Sequence, residues 1–226
     1  MAEIRFDHAP RFAELTEWLQ QLADEHPELM TLEVLGTSHE GRELWIATVT
    51  NTATGPHDEK PAVWLDGNIH ATETTASVAL LHLLHRLCTS YGTDEKVTRA
   101  LDTRTFYIVP RVNPDGAELA LGEVPFMVRS TVREWPRTDQ ADGLVISDVD
   151  HDGRILQMRV PDDNGTWKPS SADARLLVPR EPDEDGPGPY YRVFREGRVE
   201  NYDGVSVPVA PPLYGIDSNR NFPYDW

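Results

Sequence analysis

The feature of the sequence that most constrains its fold is an almost wholly apolar run from about Thr74 to Leu87, which contains neither proline nor glycine. The run is too long for an ordinary strand, so it predicts a buried helix. Short segments rich in β-branched and aromatic residues lie before it, at Ala62–Leu65, and after it, at Arg104–Val109. A strand, a helix and a second strand in this order predict a right-handed crossover in an α/β fold, with helices covering the sheet.

Two further elements are predicted before this unit, and an irregular segment follows it. Apolar residues recur at helical spacing from Phe12 to Leu22, which predicts an amphipathic helix that ends near Pro27. The segment Leu44–Thr50 has the composition of a strand. From about 119 to 212, proline, glycine, aspartate and arginine are frequent and apolar periodicity is weak. Because structureless loops of this length are uncommon, we expect one domain over 1–226 that contains an insertion with small strands of its own.

Composition narrows the classes of partner. The chain has 38 acidic and 21 basic residues and a formal charge of −17, so its field repels the phosphate backbone of nucleic acids. No stretch approaches the roughly 18 apolar residues of a membrane span, and the N-terminal residues lack the pattern of a secretory signal. The lone Cys88 lies in the apolar helix and is expected to be buried. We therefore expect a soluble, cytoplasmic protein that binds neither nucleic acid nor membrane.

A histidine and a carboxylate, three residues apart, follow the predicted strand Ala62–Leu65. They are His70 and Glu73, in the string NIHATE. In open α/β sheets, ligands bind at the carboxyl ends of the strands, which is where this string is expected. Both residue types are zinc ligands, and at this spacing their side chains can converge on one cation. Asp66, just upstream, is a candidate for orienting a ligand. By itself the spacing is also common on solvated helix faces, so its interpretation depends on context.

Three other strings supply that context: GTSHEGREL at 36–44, NPDG at 113–116 and GIDSNRNF at 215–222. In this order, with NIHATE at 68–73, they resemble the strings of the carboxypeptidase A-like zinc metallocarboxypeptidases. We interpret NPDG itself as a tight turn rather than a catalytic element.

The resemblance implies a mixed, twisted sheet flanked by helices, of which this chain supplies the N-terminal portion. It covers about 30–116 and 213–226, and the intervening insertion matches poorly. It also implies that His70 and Glu73 are the first two ligands of a zinc ion that polarises the scissile carbonyl and activates a water. The third ligand and the general-base glutamate are expected beyond Trp226, so the catalytic domain is expected to be incomplete at the C-terminus.

The same resemblance implies which residues bind the substrate, which is expected to be a peptide with a free C-terminal carboxylate. Asn219 and Arg220 carry over as the anchor of that carboxylate, which a guanidinium can hold through two parallel hydrogen bonds. Arg129 carries over as the residue that stabilises the oxyanion, with Arg133 and Arg137 close enough to be alternatives. The digestive members of the family carry an arginine between the two zinc ligands, and here Thr72 takes that place. This departure favours a small or unusual peptide over an extended one.

Two other functions remain open at this point. A zinc-dependent deacylase or amidase acting on N-acyl amino acids would use a similar ligand pair, although the NPDG and NRNF strings favour the peptidase. A non-catalytic binding module would keep the fold without turnover, as the missing third ligand allows. If the parent protein is a metallocarboxypeptidase, this chain alone is expected to be weakly active or inactive.

A second cation site is a hypothesis for the insertion. The string DVDHDG places Asp148, Asp150 and Asp152 at alternate positions and follows them with Gly153, which resembles the start of an EF-hand calcium loop. The twelfth position of such a loop holds a bidentate glutamate, but here it is Arg159, so a standard EF-hand is excluded. The hypothesis is a structural calcium ion that orders the insertion. The alternative is an acidic, solvated turn.

Overall fold

The chain divides into two units that are each internally packed. In the computed structural model, the first unit comprises Met1–Arg137 and Leu213–Trp226, and the second is Thr138–Pro212. The structure describes residues 3–123, 125, 128–133, 142–210 and 215–224. The insertion predicted at about 119–212 starts earlier than the second unit, inside helix α4 of the first.

The first unit is built on a four-stranded mixed sheet with the strand order β1-β2-β4-β3. Strands β1, β2 and β4 pair antiparallel, and β3 pairs parallel to β4. The mixed α/β class predicted from the sequence is therefore confirmed. The elements in chain order are α1 (Phe12–Glu25), β1 (Met30–Thr37), β2 (Glu43–Val49), β3 (Ala62–Asp66), α2 (Thr75–Thr89), α3 (Glu95–Thr103), β4 (Thr105–Val109) and α4 (Pro114–Ala120).

The apolar run from Thr74 onward forms α2, which begins within one residue of the predicted start. Its fully buried Leu81 and Leu84 pack in one core with Leu19 of α1 and Ile108 of β4. Each such side chain removed from water contributes about 1.5–3 kcal/mol to stability. Cys88 is buried in the same core, and burial raises the pKa of its thiol to about 12, so it is an inert core residue as expected.

Three of the first unit's helices and strands were not predicted: β1, α3 and α4, the last of which is described below. A local signal for α3 is present, because Asp94 accepts hydrogen bonds from the backbone N–H groups of Lys96 and Val97 and caps the helix. In β1 apolar and polar residues alternate only from Met30 to Val34, because Leu35 interrupts the pattern where the pairing with β2 shifts register between Val34 and Gly36.

The NPDG string is not a tight turn but the start of α4. Asn113 is the N-cap and accepts a hydrogen bond from the Gly116 N–H at 3.0 Å. Pro114 occupies the first helical position, where its fixed φ and missing N–H suit a helix start. The physical reason for the wrong prediction is that a helix N-terminus and a β-turn use the same residue types.

Asp115 joins this string to the upstream string GTSHEGREL. Its buried carboxylate accepts hydrogen bonds from Ser38 Oγ at 2.7 Å, from the Glu40 N–H at 3.0 Å and from Arg42 Nη1 at 2.7 Å. Burial acts to raise the pKa of Asp115, but the hydrogen bonds from Ser38, Glu40 and Arg42 outweigh it and hold the pKa below its usual value. Two strings far apart in sequence are thus one structural unit.

The second unit contains two small sheets, in agreement with the small strands expected in the insertion. Strand β5 pairs antiparallel with β10, and the other sheet has the order β6-β9-β7-β8. None of the helices in the described part of the chain is long and apolar enough to cross a membrane. The strands are β5 (Gly143–Ile146), β6 (Gln157–Pro161), β7 (Trp167–Pro169), β8 (Leu177–Pro179), β9 (Tyr191–Arg195) and β10 (Gly197–Glu200).

Replacing Asp115 tests the link between the two strings. Asp115→Asn is expected to lower the free energy of unfolding at pH 7 by about 2–4 kcal/mol, because the donors of Ser38, Glu40 and Arg42 lose a buried, charged acceptor. The folded pKa is depressed, so the stabilisation is present above the unfolded pKa of about 3.9 and is lost as the pH falls through the folded pKa. The difference between wild type and variant, measured by urea denaturation, should therefore shrink below about pH 4.

The matched control is Asp58→Asn, which removes an exposed carboxylate in a loop and is expected to change stability by less than about 0.5 kcal/mol. A pH-independent loss in Asp115→Asn would contradict the account.

Candidate metal centre

His70 and Glu73, the two predicted zinc ligands, lie in the loop between β3 and α2, at the carboxyl end of β3 as the sequence predicts. His70 is buried, with 6% of its surface exposed, whereas the side chain of Glu73 is 54% exposed. The strand ends at Asp66 and the helix begins at Thr75, so eight residues carry the chain from one to the other. The pair therefore joins a fixed, buried imidazole to a carboxylate that solvent can reach.

Asn68 shapes this loop. It has a positive φ of 55° and a buried side chain, whose Nδ2 donates to the carbonyl oxygens of His70 at 2.7 Å and Ala71 at 3.2 Å. Its Oδ1 accepts from Ser77 Oγ of α2 at 3.2 Å. Asparagine tolerates this backbone conformation better than most residues and here satisfies the loop carbonyls as well. A Cβ on Gly116 would lie 2.7 Å from the Ala71 side chain, so glycine at that position lets α4 pack against the loop.

The imidazole and the carboxylate converge. His70 Nδ1 lies 2.8 Å from Glu73 Oε1, and because a carboxylate can only accept, the imidazole carries the proton on Nδ1 in this hydrogen bond. Two ligand atoms of a tetrahedral zinc ion stand about 3.3 Å apart, given metal–ligand distances near 2.0–2.1 Å. An outward movement of about half an ångström by the exposed Glu73 would accommodate a cation, so the pair fits the zinc that its residue types suggest.

The second ring nitrogen of His70 faces a carboxylate. Nε2 lies 3.3 Å from Asp217 Oδ1, but it is buried and not aligned for a hydrogen bond with any described residue. When Nδ1 serves as a metal ligand, the proton resides on Nε2, and a carboxylate at this position then orients the ring and strengthens the ligand. Nε2 of His70 is therefore free to carry the proton when Nδ1 binds a metal, with Asp217 as the nearby acceptor.

Asp217 also holds Arg129. Arg129 Nε donates to Asp217 Oδ2 at 2.8 Å, and its Nη1 lies 4.0 Å from Glu73 Oε1. The hydrogen bond from Arg129 lowers the pKa of Asp217, with a further contribution from the Asn219 backbone N–H. The carbonyl oxygen of Arg129 accepts from the Ala71 N–H at 3.3 Å, so its backbone is tied to the loop as well. The structure therefore brings Arg129 to His70 and Glu73.

The other two predicted substrate-binding residues, Asn219 and Arg220, closely follow Asp217 in the sequence. Within the described part of the chain, they make no contact with His70 or Glu73. Asn219 and Arg220 are exposed and lie in a short 3-10 helix, Ser218–Arg220, which Asp217 caps. Among the described residues, no ion pair or side-chain hydrogen bond links Asn219 or Arg220 to the metal pair. The Arg133 carbonyl oxygen accepts from the Gly215 N–H at 2.9 Å, and Arg137 lies outside the described residues.

Asp217 is a candidate functional residue that the sequence analysis missed. The candidate chosen for orienting a ligand, Asp66, instead accepts from Trp64 Nε1 at 2.8 Å and is exposed. A signal for Asp217 was available, because it is the acidic residue inside the GIDSNRNF string, and a metal-binding histidine usually has a carboxylate partner. Which of the two acids fills this role depends on a long-range contact that the sequence does not display.

The carboxylates of the second unit show a different grouping from the predicted one. Asp148 and Asp150 offer oxygen atoms within 4.8 Å of one another and of Glu196, whereas Asp152 is not part of that group. Asp152 instead accepts a hydrogen bond from the Arg154 N–H at 2.8 Å. Within the described ranges, this is the one cluster of three or more histidine, cysteine or acidic side chains with metal-binding geometry, so the pair at His70 has no third such ligand there.

Comparison with known proteins decides the family. The sequence profile of the zinc carboxypeptidases, peptidase M14, matches residues 15–226. The chain belongs to the M14 zinc carboxypeptidase family. The zinc carboxypeptidase of Saccharothrix mutabilis subsp. capreolus is 28% identical over 135 residues, which are 60% of this chain and 30% of that protein. Carboxypeptidase A2 of Rattus norvegicus is 32% identical over 125 residues, 55% of this chain and 27% of the relative. Carboxypeptidase D of Mus musculus, at 33% identity over 112 residues, is covered to 8% of its length.

Solved structures agree on the fold. Thrombin-activatable fibrinolysis inhibitor superposes with a TM-score of 0.53 at 23% identity, over 58% of this chain and 32% of that chain. Carboxypeptidase A from Helicoverpa armigera gives a TM-score of 0.52 at 24% identity, over 60% of this chain and 32% of that chain. The M14 chain described above therefore spans about a third of the matched structures, and its fold is that of a carboxypeptidase over the matched part.

The first prediction from this geometry concerns His70. His70→Ala is expected to abolish zinc binding by the chain, because it removes a buried ligand that the loop holds in place. Zinc affinity is measured by competition with a chromophoric chelator, and circular dichroism checks that the variant folds. The exposed His39 provides the matched control, so His39→Ala should bind zinc like the wild type. Unchanged zinc affinity in His70→Ala would place the metal elsewhere.

A second prediction concerns Asp217. Asp217→Asn keeps the shape of the side chain but removes the charge that faces His70 Nε2, so zinc affinity is expected to fall by about 10- to 100-fold. The same competition assay measures the loss. If Asp217 were only a structural cap of the 3-10 helix, Asp217→Asn would lower thermal stability and leave zinc affinity intact, which would contradict its assigned role.

Proposed function

We propose that the protein to which this chain belongs is a zinc-dependent metallocarboxypeptidase that hydrolyses the C-terminal peptide bond of a peptide. The observation that carries the proposal is the convergence of His70 and Glu73, with Asp217 behind the imidazole and Arg129 beside the carboxylate. Membership of the M14 family supports the reaction class. The finer assignments below rest on the geometry of individual residues.

His70 and Glu73 are the residues that would hold zinc. A zinc ion there supplies Lewis acidity to the scissile carbonyl and lowers the pKa of a bound water. The role of this chain's own residues is to present a neutral imidazole nitrogen and a carboxylate in a fixed direction. Asp217 contributes by facing Nε2, where it favours the tautomer that leaves Nδ1 free to bind.

Arg129 is proposed to stabilise the oxyanion. Its Nε is held by Asp217, and the guanidinium side chain remains 54% exposed, so further N–H donors are available to a substrate oxygen. Its Nη1 reaches within 4.0 Å of Glu73, which puts a positive charge at the edge of the metal pair. A donor aimed at the oxygen on which charge develops lowers the barrier more than it strengthens substrate binding.

Asn219 and Arg220 are proposed to bind the terminal carboxylate of the substrate. Arg220 is exposed, and among the described residues its guanidinium pairs with no acidic side chain; Nη1 donates to the Asn219 carbonyl oxygen at 3.0 Å. A planar guanidinium with free donors can hold a carboxylate through two parallel hydrogen bonds. Thr72, exposed between the two ligands, leaves that position without a cation, which favours a short peptide substrate.

The longer protein is proposed to supply the third zinc ligand and the general base. Among the described residues no third metal-binding side chain groups with His70 and Glu73, and the chain spans 30% of the Saccharothrix relative and 27% of carboxypeptidase A2. This chain alone is therefore proposed to be weakly active or inactive.

The proposal is tested on the protein expressed with the coding sequence that follows Trp226. N-blocked dipeptides with a free C-terminal carboxylate are expected to be hydrolysed, whereas their C-terminal amides are not. A chelator should abolish the activity and zinc should restore it. Preferential hydrolysis of N-acyl amino acids would favour the deacylase instead, and zinc binding without turnover of any substrate would favour a binding module.

Three arginine variants separate the proposed roles. Arg129→Lys is expected to lower kcat by about 10²–10³-fold, because a single oxyanion donor is lost or displaced. Arg220→Lys is expected to raise KM for the free-acid dipeptide, because lysine cannot reproduce the bidentate contact. The matched control is Arg99→Lys on the exposed side of α3, which should leave both constants unchanged. Equal effects of all three variants would contradict the assignment.

A further inference from the structure

A chain of buried hydrogen bonds leads from the start of α1 to the loop that carries His70. Arg111, two residues after the end of β4, lies at its centre, with 4% of its surface exposed. Arg111 Nη2 donates to the Pro10 carbonyl oxygen at 3.0 Å, and its Nε donates to Ser77 Oγ, in the first turn of α2, at 3.2 Å. The guanidinium therefore connects the segment before α1 with the helix that follows the His70 loop.

The hydrogen bonds in this chain run in one direction. A guanidinium can only donate, so the Ser77 hydroxyl must accept from Arg111 and keeps its single proton for another acceptor. That acceptor is Asn68 Oδ1, at 3.2 Å. With Oδ1 turned toward the hydroxyl, the Asn68 Nδ2 faces the carbonyl oxygens of His70 and Ala71, at 2.7 and 3.2 Å. The direction set at Arg111 thus determines which way the Asn68 amide points.

Asn68 has a backbone conformation that needs such support. Its φ of 55° lies in the left-handed region, which is unfavourable for an L-residue, and its side chain is buried. Its own carbonyl oxygen accepts from the Asn113 N–H at 3.1 Å, and the Gly67 carbonyl oxygen accepts from the Val112 N–H at 2.9 Å. The two residues after Arg111 therefore hold the start of the loop through the backbone, while the Arg111 side chain acts on the part that follows.

Burying Arg111 at this position costs stability. In the described part of the chain it forms no ion pair, and its Nη1 is buried without a hydrogen-bond partner. Burial lowers the pKa of the guanidinium to about 10, although the charge of Glu118 acts to raise it, so Arg111 is still charged at pH 7. An apolar side chain of similar volume would avoid the cost of an unpaired buried charge. The donor offered to Ser77 is what such a side chain would lack.

We propose that Arg111 is a positioning residue for the zinc loop, acting through Ser77 and Asn68 on the backbone that carries His70. The proposal rests on the proposed function, because it takes His70 as a zinc ligand. A ligand binds its metal tightly when the groups around it hold it in place beforehand, and a buried polar network with fixed donor directions selects one loop conformation.

Loss of the Arg111 donor would release the next group in the chain. A serine in a helix can turn its hydroxyl to a carbonyl oxygen of the preceding turn, and Ser77 would then be free to do so. Asn68 Oδ1 would lose its donor, and the amide would lose its fixed orientation toward the loop carbonyls. The imidazole of His70 would then be presented by a loop with more than one conformation.

Zinc titration of the metal-free, 226-residue chain, by competition with a chromophoric chelator, tests the proposal. Arg111→Met and Ser77→Ala are each expected to weaken zinc binding about tenfold, the lower end of the loss that follows removal of a group supporting a metal ligand. The double variant is expected to bind no more weakly than the weaker single variant, because both changes break the same chain of hydrogen bonds. Arg111→Lys keeps a charge and a donor, so it should recover part of the affinity lost in Arg111→Met.

A second readout does not involve zinc. In the metal-free wild type, the Asn68 Nδ2 protons are expected to exchange slowly with solvent, because the group is buried and donates to two carbonyl oxygens. NMR measures this exchange. Arg111→Met and Ser77→Ala should lose the protection at temperatures at which both variants are folded.

The matched control is Thr50→Val. Thr50 is also buried, and its hydroxyl donates to the carbonyl oxygens of Leu101 and Arg104, before the start of β4, whereas the His70 loop lies near the other end of that strand. Thr50→Val should lower the thermal midpoint and leave zinc affinity and Asn68 exchange unchanged.

Two results would overturn the proposal. One is a lower thermal midpoint in Arg111→Met and Ser77→Ala with wild-type zinc affinity and Asn68 exchange, which is what a merely structural role predicts. The other is a pair of affinity losses that add in the double variant. If Arg111→Met fails to fold, Ser77→Ala decides the question, because it removes a single hydroxyl. A wild-type chain that binds no zinc would contradict the proposed function, whereas Asn68 exchange would still show whether Arg111 orders the loop.

Discussion

The carboxylate of Asp217 is the contact on which the organisation of the candidate metal centre depends. One of its oxygens faces His70 Nε2 at 3.3 Å and the other accepts from Arg129 Nε at 2.8 Å. It therefore connects the loop after β3, the segment after α4 and the GIDSNRNF string through one charged group. In the proposed zinc-bound state the same carboxylate would favour the His70 tautomer that carries the proton on Nε2, and it already fixes the direction of the Arg129 guanidinium.

Polar side chains hold the loops around this contact in place by forming hydrogen bonds with backbone groups of those loops. Asn68 holds the carbonyls of the loop that carries His70, and Asn113 Nδ2 donates to the Ser130 carbonyl at 3.0 Å, next to Arg129. Asp115 ties α4 to the string at 36–44. These contacts connect the four short strings in the folded chain, so three of them help to hold the loop of the fourth, which carries His70. Buried amide and carboxylate groups with every partner satisfied fix one loop conformation more firmly than apolar packing alone.

Much of this fold could be predicted from local pattern, and the missing parts have a common cause. Local sequence pattern predicts the helices α1 and α2 and the strands β2, β3 and β4 to within a few residues. The position of His70 then follows from the strand that precedes it. The positions of Asp217 and Glu196 were missed because both residues make their contacts with residues far away in the chain. Nothing in the sequence around Glu196 distinguishes it from many other surface glutamates; only the folded chain shows that it is buried among backbone N–H groups. The roles of Asn219 and Arg220 stay predictions, since a clamp for a substrate carboxylate is defined by the substrate.

Crystals of the chain grown with zinc, and diffraction data collected on both sides of the zinc absorption edge, test the central claim most directly. The account predicts an anomalous peak about 2.0–2.2 Å from His70 Nδ1 and from a carboxylate oxygen of Glu73, with His70 Nε2 hydrogen-bonded to Asp217. A strongest zinc peak away from these two residues, or a His70 ring that leaves Nδ1 bonded to Glu73 with no metal beside it, would contradict the account.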